Sequence, residues 1–546
     1  MSVKIQTPSM GSLPPHQRHA ITIHMPGWDQ MLRLMEKEPA FIQQATSFYP
    51  RILPHKDVKA LFGAVLEQFG EQGQSVLLFS APESANECKK YATASARGDD
   101  ALAPEDIILK VLDIKIRLYA VFFPVVKMPI VMQFWINPGV GISSRLAEES
   151  LKHLELLHEV TRNEPPPTLE ISPADKNLRE RIAGLLERAT KAPRKTQVTP
   201  EDVYLFQTGM ASIYNVHQFL LSKYNTNTVL FGFAFHSTPH IFEDYGPGYK
   251  FFGLGTAEDL IELEEYLKAE KNEGRKVQAL WTEFPANPLT VTPDLTQLRV
   301  LATEYDFILI ADDTVGSFCN IDLLGEGGAD ILVSSLTKSF SGYADVMAAS
   351  AVLNPSSAQY NDLKALFKDK YVNRFYGGDA EVLEKNSRDY MSRSIILNRN
   401  AETLVAYLQS QVSNPSSSIA KVYYPTTSST LSSYRARMRE TTTDFTPCYG
   451  CLFTVELNTV EATIAFYNNI NVHIGPHLGA HLTLALPYVK ALYGKQLDWA
   501  AERDLRETQI RVAVGLEDTD ELLQTFKNAL VFADAAKPEE TLVSNS

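Results

Sequence analysis

The stretch Ser334-Ser335-Leu336-Thr337-Lys338-Ser339-Phe340-Ser341-Gly342 follows directly on an apolar run, Ile331 to Val333. Upstream, a second apolar run, Phe307 to Ala311, ends in Asp312-Asp313-Thr314. Apolar runs this short, bounded by polar and turn-forming residues, read as buried strands. The pattern continues outward. Val203 to Phe206, Val229 to Phe235 and Val277 to Trp281 read as further strands. Between them, Lys176 to Thr190, Met210 to Lys223, Ala257 to Lys271 and Leu295 to Tyr305 have helical spacing. Strands alternating with helices predict an α/β fold with a mostly parallel sheet covered on both faces. In such sheets ligands bind beyond the carboxyl ends of the strands. Gly209, Phe235, Glu283, Asp312 and Lys338 all fall at or just past those ends.

The chain of 546 residues is too long for one hydrophobic core, so two or three domains are expected. Residues 1–18 and 536–546 read as disordered ends. Residues 19–175 read as an N-terminal α/β extension. It has helical spacing at Val58 to Phe69, buried strands at Val76 to Phe79 and Leu118 to Phe123, and a helix at Ser144 to Val160. Pro165-Pro166-Pro167 marks a linker. Residues 176–395 form the large sheet domain. A long helix from Ala380 to Gln409 leads into a smaller C-terminal α/β domain, 396–535. There Cys451 to Glu456 and Gln509 to Ala513 read as strands, and Asp518 to Val531 as a closing helix.

A net charge of −14 argues against a nucleic-acid surface. No apolar run approaches the roughly 20 residues of a membrane helix, and no secretory signal is recognisable; a cytoplasmic location is expected. Four cysteines are too few for a disulfide scaffold. The one C-x-x-C pair, Cys448 and Cys451, cannot complete a cysteine zinc site and runs into a strand. It reads as reduced strand-edge thiols, and no metal is expected.

Lys338 and Asp312, at the ends of buried strands, suit an aldehyde cofactor. The lysine would hold the aldehyde as an imine and the carboxylate would keep a ring nitrogen protonated, which describes pyridoxal 5'-phosphate (PLP). Gly209-Met210 follows a strand and opens a helix, whose N-terminal N–H groups suit a phosphate. Ser335 and Thr337 could add hydroxyls to it. Phe235 could lie flat on the cofactor ring or be a core phenylalanine. Asn287 could bond the cofactor's phenol oxygen or be a turn residue between prolines. Arg511 is a charge inside an apolar strand. If buried it must be paired, either with a substrate carboxylate or in a structural ion pair.

These motifs resemble the PLP-dependent enzymes of cysteine and methionine metabolism, and the fungal-type cystathionine γ-synthases in particular. The resembling segments are Gly209-Met210-Ala211, Glu283 to Pro288, Asp312 to Thr314, Gly328 to Ile331, Ser335 to Lys338 and Arg511 to Asp518. Gly141 to Arg145 and Leu478 to Leu484 resemble stretches of the fungal-type group, and the resemblance runs from about Tyr49 to Leu530. It implies the type I aminotransferase fold, with a seven-stranded-type sheet domain and a smaller C-terminal domain. Three positions depart from the pattern. The ring-stacking tyrosine stands as Phe235. A carboxylate-binding serine stands as His477, which would titrate near neutrality and narrow the pocket beside Arg511 unless it is a solvent-facing loop residue. The Tyr-Gly-Arg-Asn-Leu stretch, expected between about Thr168 and Asn177, is missing. In the wider family an equivalent Tyr/Arg pair reaches a neighbouring subunit's phosphate.

The resemblance implies γ-replacement on an O-acyl-L-homoserine, with cysteine or another nucleophile of a specialised pathway. A γ-lyase, and a PLP-fold binding subunit without turnover, are the alternatives. The implied partners are a small amino-acid substrate and further copies of the chain, as a homodimer or homotetramer.

Overall fold

The computed structural model describes residues 17–25, 27–44, 49–161, 164–165, 167, 172–191 and 194–536. Most of both expected disordered ends, and much of the proline-rich linker, lie outside the described residues.

Three sheets organise the chain. The N-terminal sheet contains β1 (Gln74–Phe79), β2 (Ile108–Ile114), β3 (Ile116–Pro124) and β4 (His158–Val160), in the order β1-β3-β2-β4 and wholly antiparallel. The helix Lys56–Phe69 buries Val58, Leu61 and Val65, as its spacing predicts. The expected helix from Ser144 to Val160 stops at Leu151. Its last residues become β4, because pairing with Val111 to Asp113 on β2 overrides local helical spacing.

The central sheet holds β5 (Val203–Phe206), β6 (Asn227–Phe231), β7 (Tyr249–Phe252), β8 (Val277–Glu283), β9 (Ile308–Asp312), β10 (Ile331–Ser334) and β11 (Ala349–Leu353). Their order is β5-β11-β10-β9-β8-β6-β7. All pairings are parallel except the two made by β11. The register of β8 on β9 places Glu283 opposite Asp312. Strand β6 ends at Phe231, earlier than expected, because Gly232 turns the chain with φ +80°. Phe235 therefore sits in the loop beyond the strand.

The expected single helix from Ala380 to Gln409 is two helices, Gly377–Asn386 and Tyr390–Val412, separated by a 3₁₀ turn. Asn386 is held at this break. Its amide donates to Asp345 and Ser341, and its carbonyl accepts from Arg393.

The C-terminal sheet holds β12 (Ile419–Tyr423), β13 (Leu452–Leu457), β14 (His473–Ile474), β15 (Leu484–Leu486) and β16 (Gln509–Ala513), in the order β12-β13-β16-β15-β14. The closing helix Thr519–Ala535 is capped by Asp518, whose carboxylate accepts from the N–H groups of Asp520 and Glu521.

The chain before the first sheet ties the three units together. Arg18 pairs with Asp57, the Ile21 N–H donates to the Ala344 carbonyl, and the Met25 N–H donates to the Ile474 carbonyl. Arg145 adds a second clamp, donating to the Asp345 carbonyl and pairing with Asp345 and Asp379. All four cysteines are buried and free of disulfides. Burial pushes the Cys448 and Cys451 thiols up, which leaves them unreactive. No helix among the described residues is long and apolar enough to cross a membrane.

Candidate active site

The carboxyl ends of β5, β8, β9 and β10 open into a cavity that is partly open to solvent. Lys338, Asp312, Gly209, Met210, Phe235, Asn287, Ser335 and Arg511 all line it. The sequence-predicted set thus converges on one space, with two exceptions.

Thr337 does not line the cavity. Its hydroxyl donates to the Ala348 carbonyl at 3.1 Å and accepts from the Ala348 N–H at 2.9 Å. The hydroxyl is spent on tying the lysine loop to the start of β11, so Thr337 is no phosphate ligand here. His477 is the second exception. It is fully buried rather than solvent-facing, while its neighbours Pro476 and Leu478 line the cavity. Its Nδ1 lies 3.4 Å from Lys338 Nζ. Burial, then the nearby Lys338 and Arg511 charges, hold its pKa well below the usual imidazole range. Its ring packs against the lysine amine, and these surroundings favour the neutral form.

Lys338 is held from three sides. The Gly342 N–H donates to its carbonyl. Arg393 donates to the carbonyls of Ser339 and Phe340 at 2.9 and 3.0 Å, fixing the loop from beneath. Gly479 lies against the lysine backbone. With φ +72° and a hypothetical Cβ only 2.5 Å from Ser339 N, that position admits only glycine. The Lys338 amine sits 3.4 Å from the Tyr49 hydroxyl. Burial lowers its pKa, Tyr49 opposes this, and the Arg511 and Arg51 charges lower it further. A lysine held this way is more readily neutral, and therefore more nucleophilic.

Asp312 and Glu283 share one wall. Burial raises the pKa of both; the Asp312 charge raises that of Glu283 further, while the Thr314 hydrogen bonds and the Lys338 charge oppose the rise at Asp312. Glu283 is committed to the local backbone, accepting from Phe235 N at 2.6 Å and Asn287 N at 3.1 Å. Asp312 accepts from Thr314 N at 2.9 Å. Neither makes an ion pair among the described residues. Asp313, the next residue, turns away from the cavity, as the alternation of a strand requires. It is buried beneath, with its carboxyl pushed up to about 8, first by burial.

Cations line the cavity as well. Arg511 is 3% exposed and donates to Asn287 Oδ1 at 3.2 Å and to the carbonyls of Pro476 and His477. Its guanidinium lies 4.8 Å from the Tyr488 ring centroid. No carboxylate reaches it among the described residues, so the structural ion pair weighed for Arg511 is absent there. Asn287 is engaged with Arg511 and Tyr488.

At the helix Gly209–Lys223, Thr208 caps the first turn by accepting from Ala211 N at 2.9 Å. Gly209 lies against Ser335, whose Cβ would be 3.1 Å from a Cβ at position 209. The N–H groups of a helix's first turn lack intrahelical partners, and Ser335 packs close to this helix start.

Among the lining residues not foreseen, Tyr49 and Arg51 carry polar groups that reach into the site. The Tyr-x-Arg string sought near Thr168 is present far upstream, as Tyr49-Pro50-Arg51. A search of the whole chain for that string would have found them.

The cavity thus brings together two carboxylates, a lysine and two arginines, with no ion pair between them among the described residues. Buried charge is tolerated when a partner is present. A group with a protonatable ring nitrogen, an aldehyde and a phosphate fits this arrangement, as PLP does. Asp312 would face the nitrogen, Lys338 the aldehyde, the Gly209 helix start and Ser335 the phosphate, and Phe235 the ring face. Asp312→Asn should then weaken cofactor retention and cut turnover far more than Asp313→Asn, measured as PLP absorbance after dialysis and as steady-state rate. Equal losses would place the register wrongly.

The comparisons agree with this chemistry. The family described as Cys/Met metabolism PLP-dependent enzyme matches residues 176–531. The N-terminal domain of fungal trans-sulfuration enzymes matches residues 57–143. The cystathionine gamma-synthase-like enzyme iboG2 of Amanita muscaria is 32% identical, over 96% of each chain. The alanine racemase ungC of Aspergillus violaceofuscus is 33% identical, over 97% of each. In fold, the chain is similar to the cystathionine gamma-lyase of Lactobacillus plantarum, with a TM-score of 0.54 at 18% identity over 69% of this chain and 91% of that one. The chain belongs to the Cys/Met metabolism family of PLP-dependent enzymes and carries a fungal trans-sulfuration N-terminal domain.

Proposed function

We propose that this enzyme catalyses γ-replacement on an O-acyl-L-homoserine, joining the four-carbon amino-acid unit to a nucleophile other than cysteine. The observation that carries the reading is Arg511, a buried guanidinium that opens into the same cavity as Lys338 with no carboxylate partner among the described residues. A substrate α-carboxylate supplies the missing anion in bidentate form. PLP, when bound, supplies an electron sink for charge developing at the substrate's α-carbon.

The chain's own residues do the rest. Arg511 orients the amino acid so that its α-carbon comes within reach of the lysine. Lys338, with its pKa lowered, takes and returns protons at Cα and Cβ. Asp312 keeps the ring nitrogen protonated. Phe235 offers an apolar face and no hydroxyl where the resemblance expects a tyrosine, and His477 stands where it expects a serine; these two departures support a nucleophile other than cysteine. A cytoplasmic homodimer or homotetramer acting in specialised metabolism belongs to the same reading.

One observation favours a second reading, racemisation of a small amino acid. The Tyr49 hydroxyl stands 3.4 Å from Lys338 Nζ, a second proton-bearing group beside the first. The similarity to a protein named alanine racemase points the same way.

Two measurements test these readings. Holoenzyme is incubated with O-acetyl- and O-succinyl-homoserine and a panel of thiols, amines and β-keto acids, and separately with L-alanine in D2O. A new γ-substituted amino acid, with no deuterated D-alanine, is expected. 2-Oxobutanoate and ammonia alone would mean a lyase, D-alanine a racemase, and no product a binding protein. Arg511→Ala should weaken amino-acid binding by about 2–4 kcal/mol, typical of truncating one partner of a buried charge pair, while cofactor is retained. Loss of cofactor or of folding would give Arg511 a structural role instead.

A further inference from the structure

A second group of chemistry-bearing side chains lies outside the cavity, where the chain before the first sheet meets the helices Lys56–Phe69 and Ser144–Leu151. One ligand atom from each of His19, His55 and Asp57 lies within 4.8 Å of the other two. His19 belongs to the leading segment, His55 caps the helix Lys56–Phe69, and Asp57 stands in that helix's first turn. His55 and Asp57 are buried.

The hydrogen bonds fix which nitrogens carry protons. His55 Nε2 lies 2.7 Å from the Arg18 carbonyl oxygen. A carbonyl only accepts, so Nε2 carries the proton and Nδ1 is left with a lone pair. That nitrogen faces Asp57 Oδ2 at 3.4 Å, and it takes the Asp57 N–H at 3.2 Å, the long end of the hydrogen-bond range. His19 is set the same way. Its Nε2 donates to Glu148 Oε2 and its Nδ1 accepts from the Ser144 hydroxyl, both at 2.9 Å. Burial, ahead of every other cause, lowers the pKa of both rings, that of His19 to about 4. Neutral imidazole is the form that ligates a metal.

Two acceptors facing each other in a buried place repel unless a cation lies between them. A tetrahedral metal with bonds of about 2.0–2.1 Å holds its ligand atoms roughly 3.3–3.4 Å apart. His55 and Asp57 already have that spacing. A ligating imidazole commonly donates its other N–H to a carboxylate or a backbone carbonyl. Glu148 serves His19 in this way, and the Arg18 carbonyl serves His55. The cation now at hand is the Arg18 guanidinium, 3.1 Å from Asp57 and 3.2 Å from Glu148, on a side chain that is 50% exposed. An ion pair so open to water is weak, so a dication can displace it. Arg145, the other nearby cation, is engaged by Asp345 and Asp379.

We propose that His19, His55 and Asp57 form a site for a zinc-class divalent ion, with solvent in the fourth position. Bound there, the ion fastens the leading segment to the body of the protein. Two residues after His19, the Ile21 N–H donates to the Ala344 carbonyl, and Ile21 clusters with Ala344, Ala480 and Tyr49. An ion at His19 thus steadies one flank of the catalytic cavity without entering it. The site is independent of which reaction the enzyme performs.

Full-length holoenzyme, freed of metal with EDTA, is titrated with Zn2+ by calorimetry and with Co2+ by visible absorbance. The wild type should bind one Zn2+ per chain at micromolar concentration or below, and Co2+ should give the intense visible bands of a four-coordinate site. His19→Ala and Asp57→Asn should each weaken Zn2+ by more than the about 10–100-fold typical of losing an outer hydrogen-bond partner. Arg18→Ala should tighten it several-fold, because the competing cation is gone. Zn2+ should slow proteolysis of the leading segment in the wild type and not in His19→Ala. No binding at micromolar Zn2+, or binding that survives both His19→Ala and Asp57→Asn, would overturn the site. If His19→Ala fails to fold, Arg18→Ala carries the test, and unchanged or weaker binding there would count against the site. Binding that leaves proteolysis of the leading segment unchanged would overturn the fastening role.

Discussion

Separated charge is the constraint on which this structure depends. Asp312 and Glu283 lie opposite each other at the ends of adjacent parallel strands. Lys338, Arg51 and Arg511 line the same cavity, with no ion pair to either carboxylate among the described residues. Like charges side by side in a low-dielectric space raise each other's cost of ionisation, and opposite charges held apart gain little from each other. Such a cavity is completed by something carrying both signs. A cofactor with a cationic ring nitrogen and an anionic phosphate, together with an amino acid that brings a carboxylate, matches both sets of groups at once.

The rest of the fold holds these groups in place. Parallel β8 and β9 bring the two carboxylates to one level. Arg393 pins the lysine loop through the carbonyls of Ser339 and Phe340, also holds that of Asn386, and is itself paired with Asp389. Gly479 permits the C-terminal unit to touch the Lys338 backbone, and Gly139 permits the N-terminal unit to touch the helix cap. Tyr49 and Arg51 from the chain before the first sheet, the central sheet and the C-terminal unit therefore all line one cavity. This gives the N-terminal extension a physical role beyond added mass.

Much of the arrangement was legible in the sequence. Strand ends are marked by where apolar runs stop, so Gly209, Asp312 and Lys338 could be placed from one-dimensional pattern. Arg511 stood out because a charge interrupts an apolar strand. What escaped the sequence depends on long-range contact. Tyr49 meets Lys338 across 289 residues, and no local periodicity announces it. Thr337 has the right chemistry, but its hydroxyl is claimed by the backbone of Ala348. His477 has loop neighbours that suggest solvent, whereas packing behind Lys338 and Tyr49 buries it. Phe235 was placed one loop too early, since a single positive-φ glycine ends the strand before it.

The central claim is that this cavity holds PLP through Lys338, and reduction of the holoenzyme with borohydride tests it most directly. Reduction followed by peptide mass spectrometry should place a pyridoxyl group on Lys338, with no label at other lysines, and the Lys338→Ala protein should carry none. A pyridoxyl group on another lysine, or none on the wild type after loading with PLP, would contradict the account.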